Sequence, residues 1–149
     1  MEAALKQKLQ ENLKQAMRNR NRLRSSVIRL ILAGIKNAEI AKREVLNDAD
    51  ILGIITKEVR QRKESILAFR QGNRQDLVDI EEAEMAILAE YLPEQMSRED
   101  IVTAVGNVIK EIGAQGLQDK GKVMARLMPQ LKGKADGRDI NTVATELLG

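Results

Sequence analysis

The sequence of 149 residues contains no cysteine, no histidine and no tryptophan, and its only aromatic residues are Phe69 and Tyr91. Without cysteine there can be no disulfide, thiol nucleophile or iron–sulfur cluster. Without cysteine and histidine, zinc-finger sites and imidazole bases are also excluded. Two aromatic side chains are too few for a platform on which unpaired bases could stack.

Long apolar runs are also missing. The first residues lack the apolar segment of a secretory signal. No apolar run reaches the roughly 18 residues that a membrane span needs, and the longest candidate, residues 27–35, is interrupted by Arg29. We therefore expect a cytoplasmic protein without membrane contact.

Helical periodicity dominates the chain, and no strand-like alternation is found. We predict an all-α fold, with an N-terminal four-helix domain over 1–92 and a small C-terminal three-helix domain over 97–149, joined by a short hinge. Asn47 or Asp48 is expected to cap helix 3, and Ser97 to cap the first helix of the C-terminal domain. Two stripes of apolar residues at helical spacing predict that helices 1 and 2 form an antiparallel hairpin. The expected layers of this hairpin are Leu5/Ile35, Leu9/Ile31, Leu13/Val27 and Met17/Leu23.

Helices 3 and 4 are predicted to form a second antiparallel hairpin that turns near Asn73. Their stripes meet in four apolar layers, and in a fifth layer in the middle Arg62 faces Glu84. A buried arginine is costly to desolvate unless a carboxylate compensates its charge, and such a pair can fix helix register. We therefore interpret Arg62 and Glu84 as a structural ion pair. The four apolar layers are Ile55/Tyr91, Val59/Ile87, Ile66/Ile80 and Phe69/Leu77.

Charge is segregated along the chain although the formal net charge is only +3. Residues 12–38 carry seven basic residues and no acid, residues 75–97 carry seven acids and no base, and residues 120–134 carry five bases and no acid. Such blocks create local fields. They either contact phosphates or neutralise each other within the bundle or between protomers.

Two groups of basic residues are candidates for phosphate contact. With so few aromatics, any nucleic-acid partner should be a folded RNA whose backbone and shape are recognised. The proposed RNA-binding residues are Lys120, Lys122, Arg126, Lys132, Lys134 and Arg138. A secondary basic patch consists of Arg18, Arg20, Arg22 and Arg24.

No motif in the sequence carries a complete catalytic constellation. The segment 116–123 approaches the phosphate-binding GxxxxGK[ST] loop, but Val123 replaces the required hydroxyl and no strand precedes it. The carboxylates of Glu81, Glu82 and Glu84 lack the histidines of helical-bundle di-metal sites. We predict no catalytic residue, no metal site and no cofactor.

Four ordered segments resemble the YqeY family, which is similar to the tail domain of the B subunit of glutamine-dependent aminoacyl-tRNA amidotransferase. The resemblance runs essentially from end to end, and it departs from the family at Lys120, where methionine is usual. The four segments are Gln61-Arg62-Lys63-Glu64-Ser65-Ile66, Tyr91-Leu92-Pro93-Glu94-Gln95, Gly121-Lys122-Val123-Met124 and Lys132-Gly133-Lys134-Ala135-Asp136-Gly137-Arg138.

The resemblance implies a two-domain helical protein that contacts tRNA, or an aminoacyl-tRNA or amidotransferase component. It also implies the activity class of that amidotransferase, a carbon–nitrogen ligase with glutamine as amido-N-donor. The chain matches only the tail, so we expect an accessory protein that is not catalytic by itself. The alternative is a non-catalytic adaptor that docks a charged protein through its acidic and basic helix faces.

Overall fold

The computed structural model describes residues 2–149, and these residues form seven α-helices, one 3-10 turn and no strand. The all-helical class predicted from the sequence is confirmed. The helices are α1 (Ala4–Arg18), α2 (Arg22–Lys42), α3 (Asp48–Gln71), α4 (Gln75–Ala89), α5 (Arg98–Ile112), α6 (Lys120–Leu131) and α7 (Gly137–Leu148), with the 3-10 turn at Leu117–Asp119.

The chain divides into two compact units, the N-terminal unit Met1–Leu92 and the C-terminal unit Pro93–Gly149. The N-terminal unit contains α1 to α4 around a core centred on Leu9, Ile31 and Ile55. The C-terminal unit contains α5 to α7 around a core centred on Val105 and Leu127. Each unit therefore buries an apolar cluster of its own.

Side-chain caps start four of the helices at residues with short polar side chains. Asn47 accepts a hydrogen bond from the amide of Asp50, at 2.9 Å, and Ser97 accepts one from Asp100, at 3.1 Å. In both cases the aspartate side chain bonds back to the cap amide, which completes a capping box. Asn21 caps α2 through the amide of Arg24, and Asp136 caps α7 through the amide of Arg138, both at 3.0 Å and without the reciprocal bond.

The α1–α2 hairpin keeps the expected order but opens at its turn. Leu9 and Ile31 are fully buried, whereas Met17 is 52% exposed and Leu23 is also exposed. The predicted Met17/Leu23 layer is therefore wrong. The chain reverses directly after α1 through Arg20, whose φ is +55°, and Ala16 takes the inward position next to the turn.

The α3–α4 hairpin buries Ile55, Ile66 and Ile87 as predicted, but Ile80 is 50% exposed. Its inward place is taken by Val78, which is fully buried together with Leu88. The reason is that α4 packs against α2 as well as α3, so its buried face is rotated from the seam that a single neighbour predicts.

A carboxylate joins three elements of the N-terminal unit. Glu39 on α2 accepts hydrogen bonds from the Nζ of Lys6 on α1 and from the amide of Leu46 before α3, both at 3.0 Å. The Leu46 amide bond and then the Lys6 ammonium lower the pKa of Glu39 below its ordinary value. The charged form of Glu39 therefore stabilises the fold.

We expect Glu39→Gln to weaken the acid dependence of stability. Because the pKa of Glu39 is lower in the folded state, its contribution is present above the unfolded-state pKa and is lost as the pH falls through the folded-state pKa. Urea unfolding at about pH 7 and about pH 3 should show a smaller difference in the variant than in the natural protein. Glu11→Gln, at an exposed position, is the control; an equal acid dependence in both variants would contradict the assignment.

Candidate nucleic-acid interface

The six candidate RNA-binding residues come from three consecutive parts of the C-terminal unit. Lys120, Lys122 and Arg126 lie on α6, Lys132 and Lys134 lie in the loop after it, and Arg138 lies in the first turn of α7. Lys122 and Arg126 are four residues apart and so share one side of α6.

Exposure and pairing distinguish these side chains. Lys122 and Lys134 are exposed and make no ion pair with any of residues 2–149. The Nζ of Lys120, which is half-buried, lies 3.4 Å from the Oγ1 of Thr145, and Arg126 lies 3.3 Å from the carboxylate of Glu111 on an exposed surface.

Lys132 and Arg138 are exposed, and each also takes part in an intramolecular interaction. Intramolecular partners therefore accompany part of this basic set, whereas Lys122 and Lys134 stay exposed without an ion-pair partner among the described residues.

The loop that carries Lys132 and Lys134 is held by residues from the start of the unit. The Nε2 of Gln95 donates to the carbonyl oxygens of Pro93 and Gly133, both at 2.8 Å. The amide N–H of Met96 donates to the carbonyl oxygen of Lys134 at 2.9 Å. Gly133 adopts a φ of +81°, which strongly favours glycine. The loop backbone is thus fixed, whereas the side chains of Lys132 and Lys134 are exposed.

We expect Gln95→Ala to loosen this loop. The change removes the donor shared by Pro93 and Gly133, and the loss of such a bond costs about 1 kcal/mol of unfolding free energy. Hydrogen exchange at the Met96 amide, which bonds to the same loop, should become faster. Gln130→Ala, at an exposed position on α6, should leave that amide unchanged; unchanged protection in both variants would contradict the role given to Gln95.

The segment that approaches the phosphate-binding loop motif has a different structure. Residues 116–123 form the 3-10 turn and the first turn of α6 rather than a connection between a strand and a helix. A side chain at Gly121 would meet nothing within 4 Å, so the backbone there is openly accessible.

The secondary basic patch is divided by the structure. Arg18, Arg20 and Arg22 are exposed and have no ion-pair partner among the described residues. Arg24 instead reaches the residue directly after α4, where its Nη1 lies 2.8 Å from the Oε2 of Glu90. Arg29 was counted in the basic block 12–38 but not in this patch, and it joins Arg20 and Arg22 around a cleft of about 450 Å³. Its position seven residues after Arg22 is the sequence signal that could have placed it there.

Arg62 and Glu84 lie together between α3 and α4. The Nε of Arg62 donates to the Oε2 of Glu84 at 3.1 Å, and its Nη1 donates to the Oε2 of Glu58 at 2.6 Å. The Arg62 side chain is only 11% exposed. Glu58 was missed by the sequence analysis, although its position four residues before Arg62 is the usual spacing of a helical ion pair.

Residues 2–149 contain neither a metal-binding cluster nor a membrane-spanning helix. No three carboxylates there gather in an arrangement suited to a metal ion. None of the helices in that range has the length and apolar character of a membrane span.

The sequence was compared with known proteins. Residues 6–148 match the family model described as Yqey-like protein. A relative from Pyrenophora tritici-repentis, named Altered inheritance of mitochondria protein 41, mitochondrial, is 31% identical over 145 residues, which cover 95% of this chain and 80% of the relative. Relatives of the same name from Lachancea thermotolerans and Kluyveromyces lactis are each 38% identical over 70% of this chain. The matches span 57% and 58% of those two proteins.

These names contradict the cytoplasmic location expected from the sequence, because all three relatives are named as mitochondrial proteins. The expectation rested on the absence of an apolar signal or span. That criterion was insufficient, because mitochondrial targeting segments are amphipathic and basic rather than continuously apolar.

The family can be assigned on two grounds. The matched residues 6–148 include nearly the whole sequence and all four of the segments on which the resemblance rested. The Pyrenophora relative covers almost the same extent at 31% identity. The chain therefore belongs to the YqeY family.

Proposed function

We propose that the chain is a tRNA-binding accessory protein, associated with an amidotransferase or another component that handles aminoacyl-tRNA. The observation that carries the proposal is the exposed basic surface of the C-terminal unit. Two of its lysines, Lys122 and Lys134, have no ion-pair partner among the described residues, and the loop that carries Lys134 is fixed by Gln95 and Met96.

In this proposal the C-terminal unit contacts the RNA backbone rather than unpaired bases. Both aromatic residues of the chain, Phe69 and Tyr91, belong to the N-terminal unit, so the C-terminal unit has no ring on which a base could stack. Lysines and openly accessible backbone, as at Gly121, suit contacts with phosphates and ribose hydroxyls.

The proposal assigns tRNA holding to this chain and no reaction. A carbon–nitrogen ligase with glutamine as amido-N-donor needs a source of ammonia, an activated carboxyl group and a site for ATP, and we assign none of these to residues of this chain. We further propose that the segments 1–92 and 97–149 are separately folding domains, the second of which presents the RNA-binding surface.

The proposal is tested by titrating the full chain with bulk tRNA over a salt series. Because each lysine–phosphate contact releases counterions, the natural protein should bind more weakly as salt rises. We expect the triple variant Lys122→Ala, Lys132→Ala and Lys134→Ala to lower the affinity at least about tenfold. The slope of log affinity against log salt concentration should decrease by the equivalent of about two to three phosphate contacts.

The matched control removes three exposed lysines of the N-terminal unit, Lys14, Lys57 and Lys63, and so changes the net charge equally. This control should keep most of the affinity. Absence of saturable binding at low salt, or equal losses in the two triple variants, would contradict tRNA binding by the C-terminal unit.

A second candidate function is that of a protein-interaction adaptor. It is supported by three large apolar side chains that are exposed on the outward face of α2, namely Leu23, Leu30 and Ile40. Docking of a charged protein partner there would be independent of RNA binding by the C-terminal unit.

A further inference from the structure

The side of α2 that faces away from the core has the repeat of a coiled-coil seam. Six exposed residues recur at spacings of three and four over 18 residues of α2, a length of about 27 Å. We call these residues the outer seam. They are Leu23, Ser26, Leu30, Ala33, Asn37 and Ile40.

The outer seam is apolar where a solvated helix face would be polar. Leu30 is 44% exposed and Ile40 is 66% exposed, while the opposite side of α2 already buries Ile28, Ile31 and Ile35. A helix that is apolar on both sides is expected to have neighbours on both sides. Asn37 occupies a core position of the repeat, where a polar residue sets partner register.

A row of cations accompanies the outer seam along one flank. Arg22, Arg29 and Lys36 repeat every seven residues, all are exposed, and none makes an ion pair with any described residue. The equivalent positions on the other flank are Val27, Gly34 and Ala41, which carry no charge. Charges at such flanking positions select the partner of a coiled coil.

From this arrangement we propose that the outer seam of α2 docks an acidic amphipathic helix of another protein. Apolar residues of that helix would cover Leu30 and Ile40, and its Asp or Glu residues would face the cationic row. At the N-terminal end the seam leads into the cleft lined by Met17, Arg20 and Arg29, which extends the same combination of apolar and basic groups.

The charges favour this occupant over a second copy of the chain. An antiparallel second copy would bring two cationic rows together, and like charges in opposition weaken association. A parallel second copy would offer each cation only the uncharged positions Val27, Gly34 or Ala41, and Val27 is itself buried in the core of the N-terminal unit. RNA is disfavoured because its backbone offers no apolar surface to cover Leu30 and Ile40.

The test uses the full chain and a designed peptide of three heptads. The peptide has leucine at its core positions, one asparagine to face Asn37, and glutamate at both flanks; a second peptide has lysine at the flanks. By fluorescence anisotropy, the glutamate peptide should bind saturably and at least about tenfold more tightly than the lysine peptide. Absence of saturable binding up to about 100 μM, or equal binding of both peptides, would overturn the proposal.

Variants separate the apolar and the charged parts of the outer seam. Leu30→Asp with Ile40→Asp should weaken binding of the glutamate peptide at least about tenfold. Leu67→Asp with Ile80→Asp, two exposed apolar positions on α3 and α4, should leave it unchanged. Arg22→Glu, Arg29→Glu and Lys36→Glu together should reverse the preference toward the lysine peptide. Unchanged affinity in the Leu30 and Ile40 variant would mean that only diffuse charge attracts the peptide and would refute docking.

Two further outcomes identify the other occupants. Competition between tRNA and the glutamate peptide for the natural protein would make the surface an RNA site. A concentration-dependent dimer that Leu30→Asp abolishes would make it a site for a second copy. The Lys122, Lys132 and Lys134 alanine variant should bind the peptide normally, so failure of the tRNA proposal and failure of this one give different results.

Discussion

Replacing Arg62 with methionine should lower the unfolding free energy of the N-terminal unit by about 2–4 kcal/mol. Methionine keeps most of the apolar stem but removes the guanidinium that both Glu58 and Glu84 contact. The two carboxylates would then share a partly buried space without a cation, and that uncompensated charge is the source of the cost.

The neighbouring substitution Glu84→Gln should have a smaller effect, about 1 kcal/mol. Arg62 retains Glu58 as a charged partner at 2.6 Å, and it also keeps its bond to the Glu58 carbonyl oxygen. The difference between the two variants therefore measures the role of Glu58. Equal losses in Arg62→Met and Glu84→Gln would show that Glu58 contributes nothing.

Tyrosine fluorescence can report the unfolding of the N-terminal unit specifically, because Tyr91 lies in that unit. It is the only tyrosine in a chain without tryptophan, it is buried, and its hydroxyl accepts a 2.8 Å hydrogen bond from Asn12. Its fluorescence in a urea titration should report the loss in Arg62→Met. Arg70→Met is the matched control, because Arg70 pairs with Glu82 across the same two helices but on an exposed surface. An exposed pair of this kind is worth less than about 1 kcal/mol.

The ion-pair cluster of Glu58, Arg62 and Glu84 also allows a test of its proposed role in fixing the register of α3 against α4. Glu58→Gln, Arg62→Met and Glu84→Gln combined should recover part of the stability, because no buried charge then remains uncompensated. If the ion pairs fix register, the triple variant should show more than one set of NMR signals for α3 and α4. A single set at recovered stability would refute the register role.

Local sequence signals predicted the helices and much of their packing. The apolar stripes placed Leu9 opposite Ile31, and folding two stripes back on each other placed Arg62 near Glu84, because an antiparallel hairpin has a simple relation between residue numbers. This prediction from residue numbers fails where a third helix packs against one member of the pair. Ile80 is exposed because α4 also packs on α2, and the contact with α2 has no signal in the α3–α4 stripes.

The candidate RNA surface was predictable only as a charge block. The distribution of charge identified residues 120–134 as a basic block, but it could not show which cations form ion pairs. Arg126 of this block pairs with Glu111, and Arg24 of the secondary basic patch pairs with Glu90. The bond from Gln95 to the Gly133 carbonyl joins residues 38 positions apart. A side-chain amide that meets a backbone oxygen at such a separation leaves no local pattern, so the way the loop is fixed had to come from the structure.

Leu127→Ala should unfold the C-terminal unit while the N-terminal unit stays folded. Leu127 is fully buried in the cluster that α5, α6 and α7 form, beside residues such as Val105 and Ile140. Removal of a buried leucine side chain costs about 2–5 kcal/mol. A unit as short as Pro93–Gly149 has a core that supplies only about 3–5 kcal/mol of net stability, so the substitution removes most or all of it.

Two measurements and two control variants define the expected result. Amide signals of residues in α5 to α7 should collapse into the unfolded range, whereas the urea transition reported by Tyr91 should not move. Leu127→Met, which conserves volume, should retain the folded signals. Leu147→Ala, at an exposed position of α7, should change little. A Tyr91 transition that shifts together with the C-terminal signals would contradict separate folding of the two units.

The same substitution separates charge from structure in the proposed tRNA binding. Leu127→Ala leaves every lysine in place but releases the loop after α6, which the end of that helix and the bonds to Gln95 and Met96 hold in position. If fixed placement of Lys132 and Lys134 matters, tRNA affinity should fall by at least about tenfold although the net charge is unchanged. Full retention of affinity in the unfolded unit would mean that a flexible basic segment is sufficient, and the fold would then have no part in recognition.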